Sequence, residues 1–150
     1  MKFVSKDLAI KLKEKGFDKP CFGWYYIKTP TGATEGELVL NRYSYRGGTY
    51  KETLERHIIS YITQNVVDAP TIEQVLEWLR ENCGLHIVML CSRDYDIDAD
   101  GRILGSWVYW WYEIYAHLSA DLIYQEEEKE YETYDEAILD GIKYVIDNLI

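Results

Sequence analysis

The sequence predicts an α+β domain in which a sheet of about four to five antiparallel or mixed strands packs with N-terminal, central and C-terminal helices. Apolar residues recur at helical spacing in three segments, and segments rich in aromatic and β-branched residues lie between them. Helices and strands follow one another in no regular βαβ alternation, which favours α+β over a doubly wound sheet. The length of 150 residues fits one domain, predicted to span residues 1–150.

The helices are predicted from their caps and their apolar stripes. Each begins at a residue that can cap the first turn: Ser5, Thr71 with Gln74, and Thr133 with Glu136. Gly16 and Gly84 follow the first two helices, where a left-handed glycine commonly ends a helix. The expected buried stripes are Leu8 and Leu12; Ile72, Val75, Leu76 and Leu79; and Ile138, Ile142, Val145 and Leu149.

Strands are predicted in segments rich in aromatic and β-branched residues: 21–28, 37–45, 85–91, 107–118 and 122–124. Residues 50–67 combine helical apolar spacing with many β-branched residues, so a strand stays open there, although helix is preferred. Residues 93–105 are polar and are predicted to form a loop between two strands.

The composition predicts a cytoplasmic protein. Cys21, Cys83 and Cys91 form no framework of close spacings, which indicates reduced thiols rather than disulfides. The N-terminus carries charges where a signal peptide needs an apolar core. No apolar run approaches the roughly 20 residues that span a bilayer, so no membrane segment is expected.

The charge is concentrated in the second half of the chain. The net charge is −10, and residues 71–150 contain 18 Asp or Glu against 5 Lys or Arg. Such an acidic half disfavours direct nucleic acid binding, because affinity for phosphate backbones comes from basic residues. The charge fits either solubility alone or an acidic DNA mimic that inhibits a nucleic-acid-binding protein.

One acidic segment resembles part of a calcium loop. Asp96, Asp98 and Asp100, followed by Gly101, match the first oxygen ligands and the glycine of an EF-hand loop. The twelfth position is Trp107, where such a loop needs a bidentate Glu. The alternatives are therefore a calcium-binding loop built on these three carboxylates and a solvated hairpin turn.

No catalytic or cofactor motif is present, so we predict a protein that is not an enzyme and has no cofactor. Cys83, His86 and Cys91 suggest zinc by residue type. In a strand over residues 85–91, however, His86 and Cys91 point to opposite faces. No nucleophile elbow, phosphate loop or dinucleotide fingerprint occurs in the sequence.

The aromatic segment 107–118 is the strongest functional feature. Alternation places one set of its residues on a core face: Val108, Trp110, Tyr112, Ile114, Ala116 and Leu118. The opposite face receives Trp107, Tyr109, Trp111, Glu113, Tyr115 and His117. Large side chains with polar tips are enriched at protein interfaces. The alternative is that a helix covers this face.

Three stretches carry a resemblance to a protein group. They are LKEKGFDKPCFGWYY (12–26), APTIEQVLEWLRENCGLHI (69–87) and YETYDEAILDGIKYVIDNLI (131–150). They resemble small uncharacterised proteins of phages and mobile elements of gut Bacteroidales. The resemblance implies a shared fold and expression inside a bacterial cell, and it implies no reaction.

The sequence therefore predicts a non-enzymatic protein that binds a protein partner or a second copy of itself. The predicted contact residues are Trp107, Tyr109, Trp111 and Tyr115. The alternatives are the acidic DNA mimic and a module that binds a small ligand or calcium.

Overall fold

The computed structural model describes residues 1–27, 38–40, 66–126 and 129–150. The helices are α1 (Lys6–Glu14), α2 (Ile72–Trp78), which continues as a π-helical turn (Leu79–Cys83), and α3 (Tyr134–Asn148). The strands are β1 (Gly23–Tyr26), β2 (Leu38–Leu40), β3 (Val66–Asp68), β4 (Leu85–Ile97), β5 (Ile103–Ala116) and β6 (Leu122–Gln125). Contacts group these elements into two compact units, Met1–Trp78 and Leu79–Ile150.

The first unit is built on an antiparallel sheet in the order β2-β1-β3. Helix α1 packs against β3. Its N-cap Ser5 accepts a hydrogen bond from the backbone of Leu8, and Gly16 follows the helix at φ +90°. Leu8 and Leu12 of the predicted stripe are buried. The capping and stripe predictions for α1 are confirmed.

Helix α2 begins with the predicted capping box. The side chain of Gln74 accepts from the backbone of Thr71, and the Thr71 hydroxyl accepts from the backbone of Gln74. Within the first unit, Trp78 packs edge-on against Phe17 with ring centroids 5.6 Å apart. The π-helical turn that follows α2 ends at Gly84, whose φ of +66° favours glycine.

The second unit contains an antiparallel sheet in the order β4-β5-β6. Strands β4 and β5 form a long hairpin whose register runs from Leu85 opposite Ala116 to Ile97 opposite Ile103. Its turn is closed by hydrogen bonds from the Asp98 backbone to Arg102 and from the Gly101 backbone to Asp98. The ladder can extend through polar residues, because its hydrogen bonds, formed at alternate residue pairs, join backbone groups and do not depend on side-chain polarity.

Helix α3 packs on one face of this sheet. Its capping box between Thr133 and Glu136 forms as predicted. The stripe residues Ile138, Ile142 and Val145 are buried. Gly141 allows the closest approach, because a Cβ at that position would lie 3.2 Å from atoms of Ile87 and Tyr112.

The predicted α+β class, with helices at N-terminal, central and C-terminal positions, is confirmed. The described strands are divided between two three-stranded antiparallel sheets. A single domain over residues 1–150 stays a prediction. No helix of the described ranges is both long enough and apolar enough to cross a bilayer.

Three local predictions are wrong. Val66 and Val67 belong to β3 and not to a helix, since they pair with Tyr26 and Tyr25; residues 50–65 of that prediction lie outside the described residues. Most of the predicted loop 93–105 is strand, because the ladder continues to Ile97 and resumes at Ile103. Two residues predicted on the core face are exposed, since Leu118 follows the end of β5 in a turn and Val108 lies toward the hairpin turn.

Asp68 is a partly buried carboxylate at the end of β3, opposite Trp24 of β1. Burial raises its pKa to about 6, and the charge of Lys13 opposes part of this shift. Among the described residues, its Oδ1 atom is buried and accepts no hydrogen bond. The ionised form of Asp68 is therefore less stable in the folded state than in the unfolded chain.

Replacing Gly141 with Val is expected to destabilise the protein by about 2 kcal/mol or more, because the added atoms would overlap Ile87 and Tyr112. Lys143→Val on the exposed side of α3 controls for helix propensity and should change stability by about 0.5 kcal/mol or less. Chemical denaturation measures both values. Equal losses in the two variants would contradict the close approach of α3 to the sheet.

Asp68→Asn is expected to stabilise the protein at neutral pH and to have little effect below about pH 4. Between about pH 4 and 6 the unfolded chain loses the Asp68 proton while the folded chain keeps it, so native stability falls as pH rises through this window. The difference at neutral pH should be about 1–3 kcal/mol, at the lower end if solvent screens the carboxylate. Urea unfolding at several pH values tests this, and a difference that is independent of pH would refute it.

Candidate interaction surface

The β4–β5 ladder sorts the side chains of the hairpin onto two faces. Residues that lie opposite one another share a face, and successive residues alternate between faces. One face, which we call the aromatic face, is formed by the pairs His86–Tyr115, Val88–Glu113, Leu90–Trp111, Ser92–Tyr109, Asp94–Trp107 and Asp96–Gly105. All four predicted contact residues, Trp107, Tyr109, Trp111 and Tyr115, therefore lie on one surface.

Exposure of the aromatic face increases toward the hairpin turn. Tyr115, Trp111 and Tyr109 are half-buried, whereas Trp107 is 51% exposed. The rings of Tyr109 and Trp111 lie in a tilted arrangement with centroids 5.8 Å apart. The Tyr115 hydroxyl donates to Glu113, and this hydrogen bond, with a smaller contribution from burial, raises the pKa of Tyr115. The face thus combines packed aromatic rings with polar tips.

The opposite face supplies the core of the second unit. Tyr112 and Ile114 are fully buried beneath α3, as the alternation predicted. Trp110 is half-buried and packs edge-on against Tyr134 of α3, with centroids 5.4 Å apart. Since α3 packs on this face, α3 does not cover the aromatic face.

A cluster of hydrogen-bonded tyrosines and carboxylates connects α3 to the sheet. Asp140 of α3 accepts hydrogen bonds from Tyr131 at 2.6 Å and from Tyr112 at 3.2 Å, and it forms an ion pair with Lys129 at 3.3 Å. The same Tyr112 hydroxyl lies 3.5 Å from a carboxylate oxygen of Glu126, so its single proton can be donated to either carboxylate. The cluster joins β5, the segment after β6 and α3 through one carboxylate, so it fixes the position of the helix on the sheet.

Burial and the carboxylates of Asp140 and Glu126 shift the pKa values of the tyrosines in this cluster. Burial, followed by the negative charge of Glu126, raises the pKa of Tyr124 to about 12. Burial is also the largest cause of the raised pKa values of Tyr112 and Tyr131. Burial alone would raise the pKa of Asp140, but hydrogen bonds from Tyr131 and Lys129 outweigh it and lower the value. At neutral pH the tyrosines therefore stay protonated donors to an ionised acceptor.

The acidic segment forms a hairpin turn. Asp98 Oδ1 accepts hydrogen bonds from the backbone of Asp100 at 2.9 Å and of Arg102 at 2.8 Å, as aspartates in turns commonly do. Asp96 lies on β4 and belongs to the aromatic face. Within the described ranges, no group of three or more His, Cys, Asp or Glu residues could hold a metal ion. The structure thus does not bring the three carboxylates together as ligands.

His86 and Cys91 also lie apart, whereas the rings of His86 and His117 are in edge-on contact with centroids 6.1 Å apart. His86 is on the aromatic face, and Cys91 is opposite Trp110 on the other face, as expected from alternation. Burial raises the pKa of the Cys21 thiol to about 12, with a further contribution from Asp68. All three cysteines have free thiols. A Cys21 thiol with such a pKa is a poor nucleophile at neutral pH.

Two features were missed by reasoning from the sequence. The hairpin end exposes apolar side chains on the face that α3 covers elsewhere: Tyr95, Ile97, Ile103, Leu104 and Val108. A pocket of about 320 Å³ at the other end of the hairpin is lined by His86, Val88, Tyr115, Ala116, His117 and Ala120. Ile97, Ile103 and Leu104 are apolar residues within a polar segment, and the sequence alone shows them. The pocket could not be predicted, because it depends on the position of the turn after β5.

Comparison with protein-family models, with curated proteins and with solved structures finds no match to this chain. The resemblance to phage and mobile-element proteins of gut Bacteroidales stays a prediction.

Tyr131→Phe is expected to reduce stability by about 1.5–3 kcal/mol, because it removes a hydrogen bond to an ionised carboxylate and keeps the ring. Tyr134→Phe is the matched control, since its exposed ring packs on Trp110 and should be retained with a change of about 0.5 kcal/mol or less. Thermal and urea unfolding measure both. If Tyr131→Phe behaves like the control, the cluster does not hold α3 on the sheet.

Proposed function

We propose that this chain is a protein-binding module and that the aromatic face of the β4–β5 hairpin is its contact surface. The single observation that supports the proposal most strongly is the exposed indole of Trp107 on the same sheet face as Tyr109, Trp111 and Tyr115. Tryptophan and tyrosine are the side chains most enriched among residues that dominate binding energy at interfaces.

The packing of the second unit also supports this function. The opposite face already provides the core, with Tyr112 and Ile114 buried beneath α3. The rings of the aromatic face therefore do not contribute to that core. A surface of large, rigid side chains offers much contact area at a small cost in side-chain entropy, which favours association with another protein.

The sheet geometry gives the surface a defined shape. Side chains on one face of a strand repeat about every 6.5–7 Å, and the antiparallel ladder aligns a second row beside the first. The β4 row contributes Val88 and Leu90 near the centre, opposite Glu113 and Trp111. Apolar and aromatic side chains thus lie at the centre beside the single carboxylate of Glu113, and polar residues lie toward both ends, where protein interfaces commonly have a polar rim.

The combined variant Trp107→Ser, Trp111→Ser, Tyr115→Ser is expected to lose a protein retained by the native chain from bacterial lysate, because the anchor side chains would be absent. A matched variant, Ile97→Ser, Leu104→Ser, Val108→Ser, removes exposed apolar groups from the opposite side of the same hairpin and should retain that protein. Affinity capture measures retention, and circular dichroism and thermal unfolding verify that each variant is folded.

The partner bound by the aromatic face can also be a second copy of the chain. Sedimentation velocity at rising protein concentration measures such self-association. A concentration-dependent dimer that disappears in the aromatic variant and persists in the matched variant would identify a second copy as the partner. If both variants recover the same proteins as the native chain and the same oligomeric state, the aromatic face is not the contact surface and the proposal is rejected.

A further inference from the structure

We infer that the partner of the aromatic face is a basic protein segment whose Arg or Lys side chains bind between the indole of Trp107 and the carboxylates of Asp94 and Asp96. This inference rests on the proposed function and assigns the chemistry of its partner. It goes beyond a general protein contact, because it places a cation at one end of the surface.

The ladder brings the three side chains together. Asp94 lies directly opposite Trp107, and Asp96 lies opposite Gly105, two residues before Trp107 on β5. The Cβ atoms of opposite residues in an antiparallel pair are about 4.5–5.5 Å apart, and diagonal neighbours are about 7–8 Å apart. Both carboxylates and the indole are exposed to solvent. Each is therefore accessible to one and the same side chain of a partner.

Gly105 leaves room for that side chain. A Cβ built on Gly105 meets no described atom within 4 Å, so the surface beside Trp107 on its own strand is open. A guanidinium group can lie flat against the indole there and donate its N–H groups to a carboxylate. Planar stacking combined with directed hydrogen bonds is the mode of binding for which arginine is better suited than lysine.

The charges of the hairpin favour a cation on this face. All residues of β4 and β5 are described, and the aromatic face contains Asp94, Asp96 and Glu113 without a Lys or Arg. Arg93 has the opposite parity and lies on the other face. The net charge of −10 opposes pairing with a second copy, because the carboxylates of the second copy would approach the carboxylates of the first. A basic partner avoids this repulsion, and its Lys or Arg side chains can form ion pairs with the carboxylates of the aromatic face.

Binding of defined peptides tests the inference. The probe is a fluorescent peptide of alternating Arg and Thr, and its control is the same peptide with Arg replaced by citrulline, which is similar in shape and uncharged. Fluorescence anisotropy should show about tenfold or greater preference for the Arg peptide, as expected for a cation–π contact combined with two exposed ion pairs. Trp107→Ser should remove most of this preference.

A pair of variants with equal change in net charge separates the site from the general acidity of the chain. Asp94→Asn, Asp96→Asn alters the aromatic face, whereas Asp100→Asn, Glu77→Gln alters exposed carboxylates in the hairpin turn and on α2. The first variant should weaken binding of the Arg peptide by about tenfold, and the second by about twofold or less. Equal weakening by both variants would indicate a diffuse charge effect and overturn the inference.

The other outcomes distinguish this inference from the proposed function. Absence of binding to the Arg peptide, or equal binding of the citrulline peptide, overturns the inference. If the combined aromatic variant nevertheless loses its lysate partner while the Asp94→Asn, Asp96→Asn variant keeps it, the protein-binding function stands with an apolar partner. If sedimentation shows a dimer that depends on Trp107, the partner is a second copy, and the basic segment is likewise excluded.

Discussion

The close approach of Gly141 to Ile87 and Tyr112 is the contact on which the second unit depends. A Cβ at this position would lie 3.2 Å from Ile87 and Tyr112, tighter than an ordinary contact, so α3 or these side chains would have to shift from their close packing. Because the helix has one apolar stripe, it can bury only one face of the hairpin. The composition of the other face must then be compatible with water, and Trp and Tyr meet that condition because their polar tips can stay hydrated.

Asp140 makes the position of the helix specific. Apolar contacts alone tolerate sliding of a helix along a sheet, whereas hydrogen bonds to an ionised carboxylate need a defined distance and direction. Tyr112 reaches Asp140 from β5, and Tyr131 reaches it from the segment preceding α3. The partners compensate for the partial burial of the charge, as the lowered pKa of Asp140 indicates. Removal of the Tyr112 or Tyr131 hydroxyl would therefore leave the desolvation cost of the Asp140 charge less completely compensated.

The features that sequence reasoning predicted correctly depend on short-range patterns. The capping box of Thr133 and Glu136 spans three residues, and the two faces of β5 follow from simple alternation, so both could be predicted without tertiary information. The contact of Asp140 with Tyr112 joins residues 28 positions apart. No local pattern marks such a pair, because hydrogen bonds of this kind are selected by the fold as a whole.

The wrong predictions have the same physical origin. Val66 and Val67 have spacing compatible with a helix, but pairing with Tyr26 and Tyr25 places them in a strand. Residues 93–105 mix polar and apolar side chains, and both faces of the hairpin end are exposed to solvent, so the regular alternation that usually marks a strand is absent. The ladder, which uses backbone groups only, extends through them regardless. The place of Trp107 on the aromatic face was predicted from alternation, but its exposure and its position opposite Asp94 were not, since the first depends on packing and the second on the register.

The register supports the proposed basic protein partner over the other classes of partner that the composition allows. A nucleic acid stacked on Trp107 would bring its phosphates within about 10 Å of Asp94 and Asp96, a distance at which like charges are not fully screened at moderate salt. A DNA mimic would present carboxylates as its main contacts, whereas here aromatic rings occupy four of the β5 positions on the face. Aromatic rings and carboxylates on one surface are jointly suited to a partner that is both apolar and cationic. Proteins with basic segments have that combination, and phosphate-bearing polymers do not.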